Sequence, residues 1–175
     1  MTSKDTSDPD ALTLILMRHA KSDWSDGSLS DHDRPLNARG RRDTPRMANW
    51  LDQNDYRPDR ILCSTAERTR ETVALLCDTW SAEVDVADTQ ALYLASPDSI
   101  LRTILDDGND AKCLMVVAHN PGMTHLASVL ADRSVDMPTA AVASFRVSAD
   151  HWYELNSDTE YQLLDFMRPK GLDQS

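Results

Sequence analysis

Cys113-Leu-Met-Val-Val-Ala118 runs directly into His119-Asn-Pro-Gly122. Six apolar residues in a row, bounded by polar chain, read as a strand buried on both faces. Asn120-Pro121 behind it opens a helix with proline at its first position, and Met123, Leu126, Ala127 and Leu130 give that helix an inward face. Near the other end of the chain, Leu12-Thr-Leu-Ile-Leu-Met17 leads into Arg18-His19-Ala20. A buried strand therefore ends on a histidine twice.

Between these two strands the same alternation continues. Asn37 caps a helix running to about Gln53, with Met47, Trp50 and Leu51 on one face. Arg60-Ile-Leu-Cys63 is a short strand. Ser64-Thr-Ala-Glu67 has the capping-box pattern, and Thr69, Val73, Leu76, Cys77 and Trp80 form the apolar stripe of the helix it opens. Glu83 to Ala87 reads as a third strand. Ser96-Pro97 starts a helix whose inward face is Ile100, Leu101, Ile104 and Leu105. Ala140 to Val147, Trp152 to Leu155 and Tyr161 to Phe166 read as late strands. The pattern predicts an α/β fold: a three-layer α/β/α sandwich with a mostly parallel central sheet and an antiparallel edge.

The chain has 175 residues, of which 29 are Asp or Glu and 18 are Lys or Arg, for a formal charge of -11. One domain over 11–170 is expected, with a disordered polar tail at 1–10 and a short C-terminal tail at 171–175. No repeat or low-complexity segment interrupts it. The acidity excludes a general nucleic-acid or anionic-membrane binder, which needs a positive face. No apolar run approaches the roughly 20 residues that span a bilayer. The N-terminus lacks a basic start followed by an apolar stretch. Cys63, Cys77 and Cys113 form neither a disulfide framework nor a CxxC metal pair. These features predict reduced thiols in a cytoplasmic protein, with a monomer as the default state.

In parallel sheets ligands bind past the carboxyl ends of the strands. Those ends carry Arg18 and His19, Arg68 in the first turn after the second strand, and His119 with Asn120. Lys21 to Pro35, a polar stretch rich in Ser and Asp, is a long loop beside them, and such loops are usually functional. Each residue alone has a structural reading: a histidine can be a hydrogen-bonded strand end, and Arg68 can pair with Glu67 or Glu71. Together they fit one task. Two guanidinium forks match phosphate oxygens, and a helix N-terminus adds backbone N–H groups and partial positive charge. A neutral imidazole is then a competent nucleophile toward phosphorus near pH 7.

Four segments carry a resemblance. Leu16-Met-Arg-His-Ala-Lys-Ser-Asp-Trp24, Asp33-Arg-Pro-Leu-Asn-Ala-Arg-Gly40, Ser64-Thr-Ala-Glu-Arg-Thr-Arg-Glu-Thr72 and Val117-Ala-His-Asn-Pro121 resemble the histidine phosphatase superfamily, the phosphoglycerate mutase-like group. Within it the chain looks most like the small phosphohistidine phosphatases of the SixA type. The resemblance implies a phosphoglycerate mutase-like fold and assigns His19 as the residue that becomes phosphorylated. It gives Arg18, Arg68 and His119 to the phosphate pocket, with Asn120 beside them, and it implies no metal and no organic cofactor. Arg34 is a candidate for the mouth of the site. Arg-His-Ala stands here where the family usually has Arg-His-Gly.

One departure bears on substrate. Larger relatives carry a glutamate after the third strand that protonates the leaving oxygen, whereas Gln90-Ala-Leu-Tyr-Leu-Ala-Ser96 has no carboxylate. An alkoxide leaves poorly without a proton, but a protonated phosphohistidine releases neutral imidazole. The resemblance and this absence together imply phosphohistidine in a protein partner as substrate. The alternatives are a small phosphorylated molecule, with Asp23, Asp31 or Asp33 as acid, and a phosphate-binding module without turnover. A metal-dependent hydrolase built on His19, Asp23, His32, Asp33 and His119 is opposed by the two arginines. Trp24 is a candidate contact for a protein partner; Trp50, Trp80 and Trp152 read as packing, and His32, His125 and His151 as surface or structural residues.

Overall fold

The computed structural model describes residues 11–174, so the expected tail at 1–10 lies outside the described residues. Ten main elements follow in order: β1 (Leu12–Arg18), α1 (Ala38–Gln53), β2 (Arg60–Ser64), α2 (Glu67–Trp80), β3 (Asp85–Thr89), α3 (Pro97–Asp107), β4 (Cys113–Ala118), α4 (Gly122–Leu130), β5 (Val142–Val147) and β6 (Tyr161–Met167). The six strands form one sheet in the order β3-β2-β4-β1-β5-β6. β3, β2, β4 and β1 run parallel; β5 pairs antiparallel with β1, and β6 antiparallel with β5. This is the expected three-layer α/β/α architecture with its antiparallel edge.

Alternation along the central strands builds the two cores. Leu12, Leu14 and Leu16 of β1 join Leu114 and Val116 of β4 under α3 and α4. Ile15 and Met17 join Met115 and Val117 on the opposite face, under α1 and α2. Strands covered on both sides must be apolar throughout, which is why β1 and β4 read as unbroken apolar runs.

The helix starts divide into two kinds. Asn37 accepts from the Gly40 amide at 3.0 Å and Ser96 from the Ser99 amide at 3.2 Å, so both caps are as the sequence predicts. The other two differ. Ala66, not Ser64, holds the N-cap position of α2 and gives no side-chain cap; the Ser64 hydroxyl is engaged with His119 instead. Pro121 sits one residue earlier than expected, at the N-cap of α4, and Asn120 receives the Thr124 amide at 3.1 Å.

Three other expectations are corrected. β3 lies two residues later than the predicted 83–87, because pairing with β2 sets its register from Asp85 opposite Arg60 to Thr89 opposite Ser64. Trp152 to Leu155 is not a strand; Trp152–Glu154 is a 3-10 turn whose buried indole donates to the Ala111 carbonyl at 2.7 Å. Its aromatic content fills the core beside Gly108 rather than a ladder. Of the expected C-terminal tail at 171–175, residues 171–174 belong to a 3-10 helix (Pro169–Gln174), with Leu172 packed on the core and Asp173 paired with Arg46. No helix among the described residues is long and apolar enough to cross a membrane.

Candidate active site

Strand order assembles the site. β1 and β4 are parallel neighbours in register, Arg18 opposite Ala118. The residues that follow are therefore side by side: the His19 amide donates to the Ala118 carbonyl at 3.1 Å, and the His19 and His119 rings lie 5.1 Å apart. β2 flanks β4 on the other side, and the turn after it delivers Arg68. Arg18, His19, Arg68, His119 and Asn120 all line one open cavity of about 330 Å³ at the carboxyl ends of the parallel strands.

Two glycines permit this approach. A Cβ on Gly40 would collide with the backbone of Lys21, and one on Gly122 with the carbonyl of Ala95. The first lets α1 close over the chain leaving the site; the second lets α4 begin against the segment before α3.

His19 is buried, and its Nδ1 lies 2.7 Å from the Ala20 carbonyl. A carbonyl only accepts, so Nδ1 carries the proton and Nε2 keeps its lone pair. Nε2 makes no hydrogen bond among the described residues, and His19 lines the cavity. Burial, reinforced by His119 and the two arginines, pushes the His19 pKa down to about 3. The ring is neutral at any physiological pH, the form a nucleophile requires.

His119 is held on both sides. Arg68 Nη2 stands 3.2 Å from Nδ1, and Nε2 lies 2.8 Å from the Ser64 hydroxyl. Burial, and then the Arg68 charge, lower its pKa to about 3. Arg18 reaches the Met137 carbonyl at 3.2 Å through Nη1, while its Nε is buried without a partner. Burial lowers the Arg18 pKa from its ordinary value, against the opposing pull of the Asp136 carboxylate.

The three loop carboxylates separate here. Asp31 lines the cavity; its carboxylate accepts from Arg68 Nη2 at 3.0 Å and from the Tyr93 hydroxyl at 2.7 Å, and its carbonyl takes Arg68 Nη1 at 2.6 Å. The Tyr93 hydrogen bond, with Arg68, holds its pKa below the usual carboxylate value. Asp23 and Asp33 do not line the cavity. They fold back onto their own loop, Asp23 accepting the Ser25 amide and Asp33 the Ser30 hydroxyl, and both are likewise held low. Arg34 lies outside the cavity wall and stacks on Trp24, its guanidinium carbon 4.1 Å from the ring centre. Trp24 is 63% exposed at the rim, as is Leu94 at 56%.

Ser64, Asp31 and Tyr93 complete the site, and of these the sequence singles out none. In the sequence Ser64 reads as a helix cap, Asp31 as one of three loop acids, and Tyr93 only as part of the segment that lacks a carboxylate. What brings Tyr93 in is the 3-10 turn Gln90–Leu92 after β3, the position where larger relatives of the family resembled carry their acid.

The comparisons agree with this geometry. The model of the histidine phosphatase superfamily (branch 1) matches residues 14–90. An uncharacterised protein of Mycobacterium tuberculosis is 37% identical over 150 residues, covering 79% of this chain and 91% of that protein. The fold superposes with a TM-score of 0.78 on a protein assigned as the phosphohistidine phosphatase SixA of Nakamurella multipartitia, at 27% identity over 91% of this chain and 96% of the other. One under the same assignment from Agrobacterium tumefaciens gives 0.77, with 25% identity over 90% and 98% of the two chains. With its paired arginines and histidines at the end of a phosphoglycerate mutase-like sheet, this chain belongs to the histidine phosphatase superfamily, on the side of its SixA-type members.

Proposed function

We propose that this phosphatase works through a covalent phosphohistidine on His19 and that its substrate is phosphohistidine carried by another protein. The observation behind the proposal is a site with a free neutral nucleophile and no acid. His19 offers an unpartnered Nε2, while Asp31, the one loop carboxylate in the cavity, is held ionised by Tyr93 and Arg68. A site that cannot lend a proton suits a leaving group that needs none.

The chemistry follows. Nε2 of His19 attacks phosphorus as the bond from phosphorus to the substrate imidazole breaks. A substrate ring protonated on its other nitrogen departs neutral. Arg18, Arg68 and the α4 N-terminus hold the equatorial oxygens, and such positioning and charge stabilisation carry most of phosphoryl transfer. The proton that Nδ1 gives to the Ala20 carbonyl stays in place. The phosphorylated ring is then cationic and itself a good leaving group. Water takes the phosphoryl group, its protons leave with the phosphate, and His19 returns to its neutral form. In this mechanism arginine charge does the work a metal would do, so activity is expected to persist in EDTA.

Exposed Trp24 and Leu94 at an open rim favour a macromolecular substrate over a small one, since an open mouth excludes water poorly. The setting we propose is the cytoplasm, where the three free thiols stay reduced. Steady-state kinetics on a phosphohistidine peptide and on a panel of sugar phosphates test the reading. A kcat/KM at least about a hundredfold higher on phosphohistidine is expected, the scale one missing acid produces on esters; preference for a sugar phosphate would overturn it.

A further inference from the structure

Behind the catalytic cavity lies a second cleft, of about 270 Å³, that the reaction does not use. Arg39, Arg42, Arg46, Arg168 and Lys170 line it. Five of the 18 basic residues thus gather in one place on a chain whose formal charge is -11. Chance spreads a scarce charge; here α1 and the 3-10 helix after β6 bring it together.

Internal pairing does not exhaust this charge. Buried Asp43 lies within 4.0 Å of Arg39, Arg42 and Arg46, and Asp173 pairs with Arg46. Two carboxylates thus stand against five cations. Arg168 and Lys170 are exposed and make no ion pair among the described residues. Arg42 keeps 64% of its side chain open to solvent and Arg39 54%.

The cleft adjoins the site. Thr139 lines both, and Arg39 donates to its hydroxyl at 3.3 Å. The segment 137–139 is the wall between them. Its Met137 carbonyl receives Arg18 at 3.2 Å and Asn120 at 3.0 Å on the catalytic side, and Pro138 faces the cleft. A ligand seated in the cavity and spreading over this wall meets the basic cleft on one side. The apolar rim of Trp24 and Leu94 also borders the cavity.

Resting on the phosphohistidine reading above, we propose that the cleft docks the acidic surface of the phosphoprotein substrate. It holds carboxylates of the partner while the phosphohistidine enters the cavity. The occupant is a protein rather than a second small anion for two reasons. The cations are spread over two elements and are mostly exposed, which suits a broad acidic face. An open cavity flanked by exposed apolar side chains also has the rim of a protein interface. Charge complementarity of this kind raises encounter rate and selectivity more than it raises turnover.

Two synthetic peptides test this, each with one histidine phosphorylated chemically by phosphoramidate. One carries glutamates on both sides of the histidine and the other glutamines. The native chain should show a kcat/KM about tenfold higher on the acidic peptide, with kcat alike. The preference should shrink as ionic strength passes about 0.15 M, where screening reaches about 8 Å. In the double variant Arg168→Glu/Lys170→Glu, which breaks no internal ion pair, the preference should vanish while the glutamine peptide is cleaved as before. Equal cleavage of the two peptides by the native chain would overturn the docking cleft and leave the phosphatase reading intact. Equal losses on both peptides in the variant would make the effect structural and also overturn it. So would a dependence on the cleft shown only by a small ester bearing a second phosphate. No cleavage of either peptide would remove the phosphohistidine reading itself.

Discussion

Arg68 and His119 meet through a single hydrogen bond, Nη2 on Nδ1 at 3.2 Å, and this contact fixes the tautomer of the second histidine. A guanidinium only donates, so Nδ1 accepts and the ring proton sits on Nε2, directed at the Ser64 hydroxyl 2.8 Å away. The last residue of β2, the second residue of α2 and the residue after β4 thus form one relay across the sheet.

Ser64→Ala leaves that Nε2–H buried without an acceptor. The cost of such an orphaned donor is about 1–3 kcal/mol. Urea unfolding should show that loss, together with a smaller fall in kcat/KM as His119 becomes free to rotate.

Under the proposed mechanism, Arg68→Ala removes a guanidinium that would hold the transferring phosphoryl group. A lost electrostatic donor at such a site costs about 10²–10³ in kcat. Arg68→Lys should restore little, because a point charge cannot hold Asp31, His119 and a phosphate oxygen together. Single-turnover rates on a phosphohistidine peptide read this directly.

Asp31 is an internal anion on the guanidinium a phosphate would use. Replacing it with Asn removes like charge from the pocket, so inorganic phosphate should inhibit about five times more strongly, the scale of roughly 1 kcal/mol between nearby partly screened charges. Competitive inhibition constants for phosphate in the native chain and in Asp31→Asn make the comparison.

The two site histidines also set a pH dependence of stability. Each has a folded pKa of about 3 against an ordinary value of 6.5. Between those values the unfolded chain binds more protons, so their contribution is whole above about pH 6.5 and is lost as pH falls toward 3. Asp31, held below 3.8 when folded, gives way only at the lower end of that window. Melting temperature should therefore drop from pH 7 to pH 4, and His119→Gln should flatten the drop.

The chemistry-bearing strand ends were legible because burial on both faces writes itself as an unbroken apolar run. The residue after such a run must lie at the sheet edge. Arg18, His19 and His119 needed nothing more. Arg68 needed only the helix start after β2. Asp31 was not separable from Asp23 and Asp33, because all three are short acids in one polar loop, and only the reach of Arg68 and Tyr93 selects among them. The basic cleft was illegible for another reason: its residues stand more than a hundred positions apart and meet through the Arg46–Asp173 pair and the closure of the C-terminal turn onto α1. Trp152 misled because a buried aromatic scores alike for a strand and for a plug.

The central claim is the covalent intermediate on His19. Mass spectrometry after brief mixing with a phosphohistidine peptide, quenched without acid, tests it most directly. The account predicts a transient gain of about 80 Da, one phosphoryl group, located on His19 and absent from His19→Ala. Turnover of the peptide with no adduct on His19, or an adduct that persists in His19→Ala, would contradict it.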